Sequence, residues 1–208
     1  MRNFDKQKLI ADLEGVPPPL RVAFAAACAE RQMPAYRAFA SQSGLGDAEA
    51  LRRFLDDAWL NPAKSDEPEF HRQLQDCLNL IPKEDTVNPW TEEATHAQDA
   101  GISLAHTLRT RISGEAEEAA WSAQVAYESL DNFVINRENI DTNLPDSEAR
   151  VLSHPLVQAE LARQQRDLDE LRGVAPRNVR QVVAILRDRA KSDGSTFFAI
   201  EQNITRQP

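Results

Sequence analysis

Three groups of side chains in this sequence have the types and spacing to do chemistry. Glu93 and His96 stand three residues apart, the spacing with which a helix presents half of a carboxylate-bridged dimetal site. That chemistry needs a second Glu-x-x-His on another helix and two further carboxylates, and the sequence holds no second copy. His96, Asp99 and His106 fall within ~80° on one helix face, a set of neutral imidazole and carboxylate ligands that would suit a transition metal. Their face lies opposite the stripe of Ala97, Gly101, Leu104 and Leu108. It therefore reads as a solvated surface, and no metal or cofactor is expected.

The second group is Glu30, Arg31, Tyr36, Asp47 and Asp56. Glu30 and Arg31 end a run of eight uncharged residues, Val22–Ala29, so at least one of the two should be buried and paired. Asp56 is the acidic neighbour expected for them. Such charges beside Pro34 could line a pocket, yet each also has a structural use. Asp47 suits a helix N-cap, and Arg52–Asp56 and Arg53–Asp57 have i, i+4 spacing. The third group is a basic stripe, Arg177, Arg180, Arg187 and Lys191, within ~80° on the last helix. Snorkelling over the core and pairing with acidic segments compete there with docking of an anionic partner. Cys28 and Cys77 both sit on apolar helix faces and read as buried free thiols.

The elements that must position these groups are all helical. A short helix spans Asp5–Glu14 and ends at GVPPP. The next begins near Leu20, and its uncharged turns point apolar side chains in every direction, the mark of a buried central helix. Pro34 predicts a kink or restart, and Gly44 a left-handed terminus before a helix capped by Asp47. Further helices are predicted over Pro68–Ile81, Thr91–Ile112, Glu115–Asn139, Ser147–His154, Pro155–Gly173 and Arg177–Ala190. The Pro155–Gly173 helix reads as mostly surface, resting on a narrow seam of Val157, Leu161, Leu168 and Leu171 that Gln164 interrupts. From about residue 192 a less regular tail, SDGSTFFAI, is expected to fold its two phenylalanines back. The sum is one all-α domain, a bundle of about eight helices around the Ala-rich central one.

The run Phe24, Glu30-Arg31, Pro34, Tyr36, Phe39, Gly44, Gly46-Asp47, Leu55-Asp56 and Trp59 resembles the pattern of the YjaG-like family, bacterial all-helical proteins of unknown function. Where that pattern commonly has Cys and Asn, this chain has Ala29 and Ala35. The resemblance weakens through the middle and returns at Gly194-Ser195. It implies a helical fold and a bacterial cytosolic origin, and no catalytic residues.

Composition bounds the function. In a chain of 208 residues with a net charge of -9, nine acids face three bases between Asn61 and Ala100, whereas seven acids face ten bases between Arg150 and Pro208. That balance argues against a nucleic-acid binder, which needs a concentrated basic surface. No uncharged run approaches the ~20 residues of a membrane span, and MRNFDKQKL lacks a signal-peptide core, so a cytoplasmic protein is expected. With no Gly-rich phosphate loop, complete metal set or nucleophile arrangement, the expected role is a protein–protein interaction or regulatory module, working with a protein partner or as a homo-oligomer. The alternative is a metal- or small-molecule-dependent enzyme with a carboxylate-lined pocket near the central helix.

Overall fold

Every element among the described residues is helical, as seven glycines and the lack of sustained β-branched alternation predict. The computed structural model describes the backbone of residues 1–205 and the side chains of residues 1–195. Its nine α-helices are α1 (Lys6–Glu14), α2 (Pro18–Ser43), α3 (Ala48–Leu60), α4 (Pro68–Leu80), α5 (Glu92–Ser113), α6 (Ala116–Arg137), α7 (Ser147–Ser153), α8 (Pro155–Leu171) and α9 (Val179–Thr205). A single 3-10 turn, Pro176–Asn178, precedes α9. No helix among the described residues is long and apolar enough to cross a membrane.

The central helix is α2, packed against α3, α5, α6, α8 and α9. Val22 through Arg31 are buried without a break, which follows from small alanine side chains that let several neighbours approach at once. Of the kink or restart expected at Pro34, the restart does not occur. Pro34 removes one backbone donor, but α2 runs through it to Ser43, held on several sides by packed neighbours. Gly44 then adopts φ +71° and its N–H caps Ala40, and Asp47 accepts from the N–H of Ala50 at 2.8 Å. At the other end, the Arg21 guanidinium collects the carbonyls of Leu13, Glu14, Val16 and Gly114. One side chain thus satisfies carbonyls at or just past the ends of both α1 and α5.

Two expectations about the C-terminal third are corrected. α8 does bury Val157, Leu161, Leu168 and Leu171, but Glu160, Gln164 and Asp167 are buried beside them. The helix is therefore no surface helix, because its acidic edge is turned into α2 rather than into water. And no irregular tail begins near residue 192. α9 continues to Thr205, and Gly194 within it is buried against the backbone of Arg31, where an added Cβ would lie 2.8 Å from the Arg31 carbonyl oxygen. Phe197 and Phe198 lie outside the described side chains. A satellite core of Leu130, Phe133, Val134, Ile140, Val151, Val157 and Leu161 ties α7 and α8 to the end of α6.

Candidate functional site

Glu30 and Arg31 are consecutive on α2, so their side chains leave the helix ~100° apart and meet different neighbours. Both are buried, at 4% and 6% exposure. Arg31 turns to α8. Its Nη2 and Nε donate to Glu160 at 2.7 and 3.0 Å, and Nη1 donates to Asp167 at 2.9 Å. Gln164 donates to the same Glu160 carboxylate, and Arg189 of α9 reaches Asp167 at 2.9 Å. Burial works against the Arg31 charge, but Glu160 and Asp167 outweigh it and hold the guanidinium protonated. Burial also pushes the neighbouring Cys28 thiol up to about 12, which leaves it a neutral, unreactive acceptor. Cys28 and Cys77 are buried free thiols, as expected.

Glu30 turns instead to α3. Its two oxygens accept from Arg52 at 2.6 and 2.9 Å, and one also takes the Trp59 indole N–H at 2.8 Å. Arg52 continues to Asp56 at 2.7 Å, the expected i, i+4 pair, and Asp56 accepts from Arg187 of α9. The single cluster expected around Arg31 and Asp56 is therefore two. Asp56 belongs with Glu30 through Arg52, while Arg31 has its own acids across the helix. The Arg53–Asp57 pair is not formed: Asp57 accepts from Arg111 at 2.7 Å. Tyr36 and Asp47 meet elsewhere, where the buried Tyr36 hydroxyl donates to the Leu80 carbonyl at 2.7 Å and receives the Asp47 backbone N–H. Their role is to close the α2–α3 turn onto the end of α4.

The basic stripe divides in the same way. Arg187 joins the ion chain Glu30–Arg52–Asp56–Arg187, whereas Arg177, Arg180 and Lys191 are exposed and make no ion pair among the described residues. Two concavities flank that chain along the α3–α9 seam. One, of about 400 Å³, lies toward Arg180 and is lined by Trp59, Leu60, Pro62, Val179 and Val183. The other, of about 260 Å³, lies toward Lys191.

His96, Asp99 and His106 do not form a solvated face. α6 covers them, because α5 is enclosed by α2, α4 and α6 together. His96 Nδ1 lies 3.2 Å from Ser129 Oγ, and Asp99 shares that hydroxyl. His106 pairs instead with Glu118 at 2.7 Å and stacks on Trp121. Among the described residues no three His, Cys, Asp or Glu side chains are grouped to hold a metal. Nor does Ser129 have the geometry of an activated nucleophile, since the acid and the imidazole both converge on the hydroxyl where a triad needs the imidazole between them. Of the pocket expected near the central helix, the space between Arg31, His96, Ser129 and Glu160 is a cavity of about 30 Å³, far below the ~300 Å³ of a metabolite site, whereas Glu30 and Pro34 line the concavity of about 260 Å³ at the Lys191 end.

Burial pushes the Asp99 carboxyl up to about 6, against the hydrogen bond from Ser129. A folded-state value above the unfolded one means the native state keeps the proton longer, so this contribution to stability is lost as pH rises from about 4 to about 6. Burial lowers the His96 imidazole, against Glu92, and that contribution is gained as pH rises toward ~6.5. Asp99→Asn, which keeps a polar partner for Ser129 without the charge, should raise stability by about 1–2 kcal/mol at pH 7.5 and much less at pH 4.5. Urea midpoints at the two pH values read this directly, and equal gains at both would contradict it.

Glu160, Asp167 and Arg189 complete the clusters and are not among the candidates that spacing singles out, while Arg52 is singled out only as the i, i+4 partner of Asp56. A signal existed for two of them, since Glu160, Gln164 and Asp167 recur at i, i+4, i+7 and Gln164 marks the polar break in the seam.

A family model described as a protein of unknown function, DUF416, matches residues 8–201. The crystal structure of a DUF416 family protein from Shewanella baltica OS155 superimposes with a TM-score of 0.74 at 17% identity, covering 91% of this chain and 94% of that one. No curated protein matches the chain.

Proposed function

Since the chain belongs to the DUF416 family, whose function is unknown, we infer its role from its surface: it is an interaction module that receives an acidic, amphipathic segment of a partner protein in the groove between α3 and α9. The observation that carries this reading is Leu60, 71% exposed at the edge of a groove of about 400 Å³ whose walls include Trp59, Pro62, Val179 and Val183. Arg180 and Asp188 line the same groove, neither in an ion pair among the described residues, and Arg177, three residues before Arg180, is likewise exposed and unpaired, so two cations stand against one acid at this end. An apolar floor whose rim carries more positive than negative charge favours a helix with an apolar stripe and acidic flanks. The chain as a whole carries a net charge of -9, so the small positive excess of Arg177 and Arg180 over Asp188 would also steer such a partner to this end of the molecule.

The reading places the protein in the bacterial cytoplasm. Two buried free thiols suit a reducing compartment, and the resemblance of Leu20–Trp59 to the YjaG-like pattern agrees with such an origin.

Fluorescence anisotropy of a labelled amphipathic helical peptide with Glu flanks tests the groove. Wild type should bind it more tightly than the same peptide with Lys flanks, and Leu60→Asp or Arg180→Glu should each weaken it ~10-fold or more. Equal binding of both peptides, or variants that bind as wild type does, would defeat the assignment. A wild-type chain that ignores both peptides yet dimerises through Leu60 would transfer the groove to a second copy.

A further inference from the structure

We propose that the concavity at the Lys191 end of the α3–α9 seam is a binding site for the phosphate of a small phosphate monoester. It is independent of the groove at the Arg180 end. The space is about 260 Å³, room for a phosphate with a short organic group, and three helices wall it: α2 through Glu30, Met33, Pro34 and Arg37, α3 through Arg52, and α9 through Lys191 and Ser195.

The charge of the lining selects the ligand. The Glu30 carboxylate is already held by Arg52 on both oxygens and by Trp59. Asp56 is held in turn by Arg52 and Arg187. The four members of that ion chain cancel, two of each sign. Arg37 and Lys191 remain exposed, and neither makes an ion pair among the described residues. The site therefore presents two uncompensated positive charges on a chain whose net charge is -9. Without a ligand, Arg37 and Lys191 repel each other and Arg52; a dianion between them removes that repulsion and forms charge-assisted hydrogen bonds. Phosphate monoesters carry close to two charges at neutral pH.

The site is also built rather than assembled from loose surface chains. Gly194 brings α9 into backbone contact with Arg31, and Lys191 and Ser195 flank that contact on α9. Arg37 and Lys191 thus project from two helices locked against each other. The Ser195 hydroxyl now donates to the Lys191 carbonyl at 3.0 Å and needs only a rotation to donate to a phosphate oxygen. Met33 and Pro34 offer an apolar wall to the ester carbons.

The test uses the full chain with glycerol 3-phosphate, inorganic phosphate, glycerol and a phosphoserine peptide as probes, by thermal shift and isothermal titration calorimetry. Glycerol 3-phosphate should raise the unfolding temperature and bind more tightly than inorganic phosphate, and glycerol should do neither. Arg37→Ala and Lys191→Ala, both exposed and expected to fold, should each weaken it ~10-fold or more, Arg180→Ala should leave it unchanged, and affinity should fall from pH 7.5 to pH 5.5 as the second phosphate proton is retained. No thermal shift in wild type at millimolar ester, wild-type affinity in both variants, or equal binding of inorganic phosphate would overturn the proposal. Tighter binding of the phosphoserine peptide than of glycerol 3-phosphate would overturn its small-molecule assignment.

Discussion

Replacing Arg31 by alanine should cost about 3–5 kcal/mol of folding free energy, the largest single-residue effect outside the apolar core. Glu160 and Asp167 are 3% and 1% exposed, and Arg31 supplies hydrogen bonds to both. Its removal leaves Glu160 with Gln164 and a distant Arg163 at 3.9 Å, and Asp167 with donors from α8 and α9 only. Two carboxylates would then be buried with too little positive charge. The cost should therefore fall when the acids are removed as well: Arg31→Met combined with Glu160→Gln and Asp167→Asn should recover much of the lost stability, because no unpaired charge remains. Arg150→Ala, at an exposed pair with Glu138, should change stability by less than ~0.5 kcal/mol. Chemical denaturation of the three proteins decides it. An Arg31→Ala protein with an unchanged midpoint would mean that the cluster is not what holds α8 to α2.

The second large effect is expected at Gly194. An added Cβ would lie 2.8 Å from the Arg31 carbonyl oxygen and 2.9 Å from its Cα, and both are backbone atoms that cannot rotate away. Gly194→Val should force α9 outward and cost about 3 kcal/mol, at the upper end of overpacking. Helix propensity opposes this, since glycine is the poorer helix former by about 1 kcal/mol relative to alanine. That opposition makes the prediction discriminating. If propensity dominated, Gly194→Ala would stabilise the protein; the close approach predicts destabilisation by alanine and more by valine. Because Lys191 and Arg189 ride on the same helix, the valine variant should also weaken phosphate-ester binding, and Arg189 should lose its hold on Asp167.

The fold was largely legible from the chain alone. A helix repeats every 3.6 residues and its caps lie within four, so its signals are local: the uncharged turns of Val22–Ala29, the Gly44 terminus and the Asp47 cap are all seen in the structure. The same periodicity failed for His96, Asp99 and His106. A wheel shows which residues share a face, but not that a second helix covers the face opposite the apolar stripe. In α5 both faces are covered, and the polar one is buried against α6 by Ser103, Ser122 and Ser129.

The pairing of the charges was beyond local reading. That Glu30 or Arg31 must be buried follows from the uncharged helix they end, and both are. Which acid meets which base depends on partners 129 and 136 residues away in sequence, brought together only when α8 docks on α2. Two adjacent residues on a helix face different neighbours, so one expected cluster became two. Asp56 fell on the Glu30 side because α3 packs on that flank of α2, whereas α8 occupies the other. The basic stripe was legible as a stripe, since Arg180, Arg187 and Lys191 do share a face of α9. Only tertiary structure decided that Arg187 is neutralised by Asp56 while its neighbours are left over two open concavities, because charge compensation is set by what lies across the interface and not by the helix that carries the charge.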